Sequence, residues 1–304
     1  MIRFLAGRLV ASVVVIFVVA SAAFLLLHAA PGGPFTTAAR RSAAVQHAME
    51  ERYGLHDPMW RQYGREIASL ARGDLGVSMK KDVSVNALIA EHGPVSAIVG
   101  LLGILTALIF GVAMGVYAAW RKNTWIDYVL MTLALVGVSV PSFVLGPLLI
   151  SVLAIHAGWL PPARIDGALS YVLPALTLGF IYLGTIARLA RGGMLDALSQ
   201  DFIRTARAKG LSDRRVVWKH ALRVGILPVV TYLGPATAAM ISGSFVVEKI
   251  FQIPGLGTYF INSITDRDYP VLTGVFVFYA TLLVLLNLAV DLAVGALDPR
   301  ARGR

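Results

Sequence analysis

Hydrophobic and polar positions alternate along this chain on a scale much longer than a strand or an ordinary core helix. Six stretches, 9–27, 94–120, 128–155, 167–187, 224–247 and 269–290, each run at least 19 residues without one Asp, Glu, Lys or Arg. A spanning helix needs about 20 apolar residues, at roughly 1.5 Å rise per residue across a ~30 Å hydrocarbon core. The pattern therefore predicts an all-α membrane protein with six transmembrane helices. The first stretch follows Arg3 and Arg8 and precedes the small pair Ala29-Ala30, as a signal peptide would. Its apolar core exceeds the ~7–15 residues of a cleaved segment, so it reads as an uncleaved anchor.

The polar segments between the stretches have periodicity of their own. After Pro31-Gly32-Gly33-Pro34, Asp57 before Pro58 predicts a capped helix start. Trp60, Tyr63, Ile67 and Leu70 follow at helical spacing, and Gly73 ends the run. Ser84 is placed to cap the next helix. The apolar face of this segment is either a packing surface or a docking surface for an external partner.

The segment 188–223 predicts a helix–glycine–helix. One helix continues out of the fourth span through Gly193-Met194-Leu195, runs on through Phe202 to Lys209, and stops at Gly210. Ser212, with Asp213 in the following turn, caps a second helix through Val217, Trp218, Ala221 and Leu222, and Pro228 marks entry to the fifth span. The small Ala206 between cations suits close approach of a partner surface. A basic amphipathic helix lying on anionic lipid is the alternative.

Composition and charge now narrow the class. The chain is 57% hydrophobic and 14% charged, far from the ~25% charged residues of a soluble domain. It has no cysteine, which excludes disulfides, thiolate catalysis and cysteine-bound metals. The net charge of +10 could suggest DNA binding, but its distribution argues otherwise. With both termini cytoplasmic, the inside segments hold 16 Lys and Arg against 3 in the short outside loops. That asymmetry is the positive-inside signal, with an anionic leaflet and not nucleic acid as the neighbour.

Catalytic patterns are missing. There is no Gly-x-x-x-x-Gly-Lys-Ser/Thr loop for ATP and no Gly-x-Ser-x-Gly elbow, and Gly255-Leu256-Gly257 reads as a turn. The six histidines have no pair at helical spacing, so no metal site is expected. The stretches lack mid-depth ionisable residues, the nearest being Asp291, so an internal ion relay is not expected either. A carrier of this kind must draw energy from another subunit.

The motif Arg204-Thr205-Ala206-Arg207-Ala208-Lys209-Gly210, followed by Leu227-Pro228, resembles the cytoplasmic coupling loop of binding-protein-dependent ABC-transporter permeases, in the form of the dipeptide/oligopeptide branch. Further motifs agree in order: Ala30-Pro31-Gly32-Gly33-Pro34, Arg72-Gly73-Asp74-Leu75-Gly76, Pro94-Val95-Ser96, Glu248-Lys249-Ile250-Phe251 with Pro254-Gly255-Leu256-Gly257, Arg267-Asp268-Tyr269-Pro270 and Asp298-Pro299-Arg300. Arg204-Thr205-Ala206 stands where the general permease loop has Glu-Ala-Ala.

The resemblance implies a type-1 ABC importer permease of the bacterial inner membrane, with no catalysis and no cofactor on this chain. ATP and Mg would sit on two cytoplasmic ATPase subunits. The other partners would be a second permease and an extracytoplasmic binding protein, and the cargo would be oligopeptides or dipeptides, oligopeptides being closer in look. The implied organisation is an anchor with its external loop (1–93), a permease domain (94–294) and a cytoplasmic tail (295–304). Arg204 to Gly210 would engage an ATPase.

Thr231, Pro235, Ala238 and Ser242 share one helical face of the fifth span and either line the pathway or pack a neighbouring helix. Gly111 and Gly115 read as a packing pair, and Pro141 and Pro147 as kinks in the third span, with Ser139 and Ser142 nearby. Three alternatives remain: a permease of the same family for another small solute, a self-sufficient carrier or channel, and a membrane-anchored assembly protein that docks an ATPase.

Overall fold

The structure, a computed structural model of the chain, describes residues 2–30, 32–35 and 43–297. Pro31, Arg40 and the Asp298-Pro299-Arg300 motif lie outside them. In order the elements are α1 (Ile2–Ala29), α2 (Ala43–Arg52), α3 (Met59–Ala71), α4 (Val85–Trp120), α5 (Trp125–Ser139) and α6 (Ser142–Leu149), which winds into a π-helical turn, Ile150–His156. A 3-10 turn, Ala168–Tyr171, leads into α7 (Val172–Leu198), followed by α8 (Asp201–Ala208), α9 (Asp213–Arg215), a second π-helical turn (Val216–Ala221) and α10 (Leu222–Gly225). The chain continues through α11 (Leu227–Gly243), α12 (Phe245–Ile250), α13 (Leu256–Asp266) and α14 (Tyr269–Leu297). Among the described residues one isolated antiparallel bridge, Val77 to Ser84, is the only extended pairing.

Five helical segments are long and apolar enough to cross a membrane: Gly7–Ala29, Val85–Trp120, Ala168–Leu198, Leu227–Ile250 and Tyr269–Leu292. The predicted stretch 128–155 is not one straight helix. It is a pair, Trp125–Ser139 and Ser142–His156, bent by 104°. Pro141 causes the break: it has no N–H to give and drives Val140 into extended backbone, φ −84° and ψ 118°. Each arm of 15 residues is about 22 Å long, so neither alone crosses the core. Ser139 satisfies itself locally, donating to the Leu135 carbonyl at 2.9 Å.

The chain divides into two compact units. The first comprises Met1–Val95 and Gly255–Val284. Its core gathers Val85, Leu88, Val271 and Val275, flanked by Leu75 and Tyr259. The amphipathic face predicted for 60–70 packs against α1: Tyr63 shares a 2.7 Å hydrogen bond with Ser21 and meets Phe24 edge-on at 5.3 Å. Asp57 does not cap α3. Its carboxylate is drawn instead to Arg65, 2.6 Å away, and the helix begins without a side-chain cap.

Two of the sequence motifs meet here. Gly76, at φ +86°, brings the backbone against Pro270, and Asp268 accepts from the Ser78 hydroxyl and from the Met79 N–H at 3.0 Å. Helix α4 starts directly after Ser84, where a cap is expected, and carries Pro94 inside it.

The second unit comprises Ser96–Pro254 and Leu285–Arg304. Close helix approach in it depends on residues without side chains. A Cβ at Gly111 would lie 2.8 Å from the Leu183 carbonyl, and one at Gly115 would strike the Ala187 carbonyl, so both belong to the α4–α7 seam as the packing reading had it. Gly184 opens the same kind of seam toward Ala134 of α5.

Candidate functional site

The helix–glycine–helix is built on the second unit and rooted in its own core. Helix α7 runs on out of the fourth span to Leu198, but the one helix expected through to Lys209 is broken: the chain turns at Ser199 and at the extended Gln200 before α8. Ile203 and Ala206 of α8 point inward to a cluster with Val116, Met194, Val216, Val217 and Ala221. Arg204, Thr205, Arg207, Ala208, Lys209 and Gly210 are exposed. The small size of Ala206 is therefore spent inside the chain: only 6% of it is exposed, and it belongs to the same buried cluster as Val216 and Val217.

Gly210 ends the helix at φ +77°, a left-handed conformation that glycine adopts without penalty. Nothing lies within 4 Å of where its Cβ would be. The following helix starts at Asp213, but Ser212 makes no side-chain cap bond, and Asp213 instead accepts from Arg207 at 3.2 Å. A second exposed pair joins Arg204 to Asp201 at 3.5 Å. Exposed pairs of this kind are worth little in stability. Beside them Ser212, Arg214, Arg215 and Trp218 line a shallow basic groove.

Two features that the sequence did not reveal tie this element to the membrane helices. Gly193 of α7 and Gly225 of α10 touch backbone to backbone, so that no side chain fits between them. Two residues earlier, Arg191 of α7 holds Asp127 of α5 by two hydrogen bonds, 2.6 and 2.7 Å long. The first contact joins the segment after Gly210 to α7, and the second joins α7 to α5.

The proposed pathway stripe divides on α11. Thr231 and Pro235 are exposed and Ser242 is half-buried, whereas Ala238 is buried. Both hydroxyls turn back on their own helix, Thr231 to Leu227 at 3.0 Å and Ser242 to Ala239 at 3.3 Å. Just beyond, Glu248 is fully buried and accepts from Ser96 at 2.7 Å and from Ser244. The Pro94-Val95-Ser96 and Glu248-Lys249-Ile250-Phe251 motifs therefore meet through one hydrogen bond. The apolar segment of this span extends to Ile250 and includes Glu248, so the spans do hold a buried carboxylate. Among the described residues no group of three or more metal-ligating side chains converges.

Residues 111–303 match the family described as binding-protein-dependent transport system inner membrane component, and residues 1–97 match its N-terminal counterpart. The chain belongs to this family. It is 41% identical over 305 residues to the oligopeptide transport system permease protein OppB of Haemophilus influenzae, covering 99% of this chain and 100% of that one. It is 45% identical over 260 residues to the dipeptide transport system permease protein DppB of Bacillus subtilis, covering 85% and 84%. In fold it resembles a chain of the MetNI methionine ABC transporter solved in inward-facing conformations, with a TM-score of 0.58 at 18% identity over 69% of this chain and 96% of that one.

As a transport-system inner membrane component, the chain has the fold expected of it: its described residues are mostly helical, with five candidate spans and one bent pair. The family is one of permease subunits that work with a binding protein. Its motifs mark internal joints, Gly76 with Pro270 and Ser96 with Glu248, as well as surfaces.

Proposed function

We infer that this chain is one permease subunit of an ATP-driven importer of peptides, oligopeptides or dipeptides, and that it catalyses no reaction itself. ATP and Mg belong to two cytoplasmic ATPases in this reading. A second permease completes the route, and an extracytoplasmic binding protein delivers cargo.

The observation that carries the reading is the construction of α8. Ile203 and Ala206 lock one face into the chain's own core, leaving Arg204, Thr205, Arg207 and Ala208 as an exposed, basic, rigidly held face. A helix held only by lipid charge would need no such cluster beneath it. In this account the exposed face sits on an ATPase. Its displacement passes through the Gly193–Gly225 contact and the Arg191–Asp127 pair into α7 and α5. Thr231, Pro235 and Ser242 form the exposed part of the pathway wall, and Ala238 packs behind it.

In this reading both termini are cytoplasmic and the segment Arg40–Glu91 lies outside. The background has no cysteine, so an Ala48→Cys variant reports topology cleanly. Labelling by an impermeant thiol reagent from the external side only is expected, and labelling from the cytoplasmic side only contradicts the orientation. Function is tested by reconstituting the chain with its partner subunits and measuring ATP-dependent peptide uptake. Uptake that proceeds without ATP returns the chain to the self-sufficient carriers.

A further inference from the structure

The first unit contains a cavity of about 350 Å³ between α1, α3 and the start of α14, within the ~300–1,000 Å³ range of small-molecule sites. Its walls are largely aromatic and apolar, with Phe24, Tyr53, Leu70 and Tyr269 among them, and two polar side chains stand out.

The first is Thr273. Three threonines of the long helices, one of them in α14 itself, return their hydroxyls to the carbonyl four residues back: Thr106 at 2.8 Å, Thr177 at 2.8 Å and Thr281 at 2.8 Å. Thr273 does not. Only 2% of it is exposed, it lines the cavity, and its hydroxyl has no hydrogen-bond partner. A buried hydroxyl left without a partner costs about 1–3 kcal/mol.

The second is Glu66, whose carboxylate lies beside that hydroxyl without closing a hydrogen bond of normal geometry. The other charged groups on the wall are already engaged. Arg65 holds Asp57 and the Gly54 carbonyl, and Asp74 takes the Gly76 N–H and the Ser69 hydroxyl. His28 lies on the Phe24 carbonyl and on Gln62. What remains is one carboxylate and one hydroxyl oxygen, side by side in a wall that also holds Phe24 and Tyr269.

We propose that this cavity binds a primary ammonium group, held between Glu66 and Thr273 with its apolar body against Phe24, Leu70 and Tyr269. An ammonium supplies the N–H donors that both oxygens lack, and aromatic walls favour a cation further. A quaternary ammonium has no N–H to give and leaves Thr273 unsatisfied. Two sources carry this chemistry, the free amino end of a peptide and the ethanolamine headgroup of a lipid. The inference stands on the cavity and does not depend on peptide import.

The test uses the full chain in its assembled complex, in nanodiscs of phosphatidylcholine alone, titrated calorimetrically with phenethylamine. Saturable binding is expected in the wild type. Affinity should drop at least tenfold in Glu66→Gln and severalfold in Thr273→Val, while 2-phenylethanol, which lacks the charge, should not bind. Thr273→Val keeps the shape of the side chain and guards against a folding defect in the first variant. Competition by the dipeptide Phe-Ala, but not by its N-acetylated form, identifies a peptide amino end. Loss of phenethylamine binding on adding phosphatidylethanolamine identifies the lipid. Absence of saturable binding, or equal binding in wild type and both variants, overturns the proposal.

Discussion

Arg191 closes on Asp127 with two donors: Nε reaches Oδ1 at 2.6 Å and Nη2 reaches Oδ2 at 2.7 Å, while the Asn123 N–H adds a third bond at 3.0 Å. Asp127 is 1% exposed, so its charge has been taken almost wholly out of water. A planar, bidentate pair of this kind fixes orientation as well as distance. It pins the first arm of the broken pair to α7, the helix that leads into α8.

Removing one partner should be worse than removing both. Arg191→Leu leaves a buried carboxylate uncompensated, and a loss of about 3 kcal/mol is expected. Asp127→Leu combined with Arg191→Leu should recover most of it. Thermal unfolding of the three purified variants tests the order, and equal losses in the single and double variants would show that the pair does not act as a unit.

Gly193 and Gly210 should fail for different reasons. Gly193→Ala pushes a methyl into the Gly225 backbone, and overpacking costs ~1–3 kcal/mol. Because that contact joins α10 to α7, ATP-driven uptake should fall further than the number of folded complexes does. Gly210→Ala meets open space and pays only for a left-handed backbone, about 1 kcal/mol. Uptake per folded complex, measured in parallel for the two variants, separates them.

Ala206→Glu places a charge among Val216, Val217 and Ile203. The expected outcome is a locally unfolded coupling element, visible as new proteolytic cleavage between 199 and 225, with stability lowered by about 3 kcal/mol or more. Ala206→Ser should be nearly silent. If Ala206→Glu stays protease-resistant, its side chain faces outward and the inward packing of α8 is wrong.

Burial pushes the Glu66 carboxyl above the usual carboxylate range, with Thr273 and His28 pulling it partly back. Its folded form therefore holds a proton more tightly than its unfolded form. Stability from this group is greatest in acid and falls as pH rises from the ordinary carboxylate range through the raised value. Melting temperatures between roughly pH 4 and pH 7 should decline less in Glu66→Gln than in the wild type. Identical slopes would remove Glu66 as the source.

Most of the fold is legible in the sequence because the bilayer imposes a length that charge-free stretches report directly. The long helices, the helix–glycine–helix and the break at Pro141 all follow from local chemistry, although the size of that bend does not. What the sequence conceals are relationships between distant positions. Asp57 pairs with Arg65 instead of capping its helix, and His47 stacks on His56 at 5.1 Å although no periodicity links them. Glu248 looks like a residue just past the end of a span, yet it is buried against Ser96 of another helix. Ala206 shows the limit most clearly. A small residue among cations suits an interface with a partner or an interface within the chain, and only the position of Val216 and Val217 decides between them.

The central claim, that the exposed face of α8 transmits ATPase motion into a peptide pathway, is tested most directly by ATP-driven peptide uptake in proteoliposomes holding the complete complex. The variant is Arg204→Gln with Arg207→Gln, two exposed positions whose loss should change stability by no more than about 0.5 kcal/mol. The account predicts an unchanged melting temperature, weakened retention of the ATPases and at least a fivefold fall in uptake. Wild-type uptake with wild-type ATPase retention in this variant would contradict it.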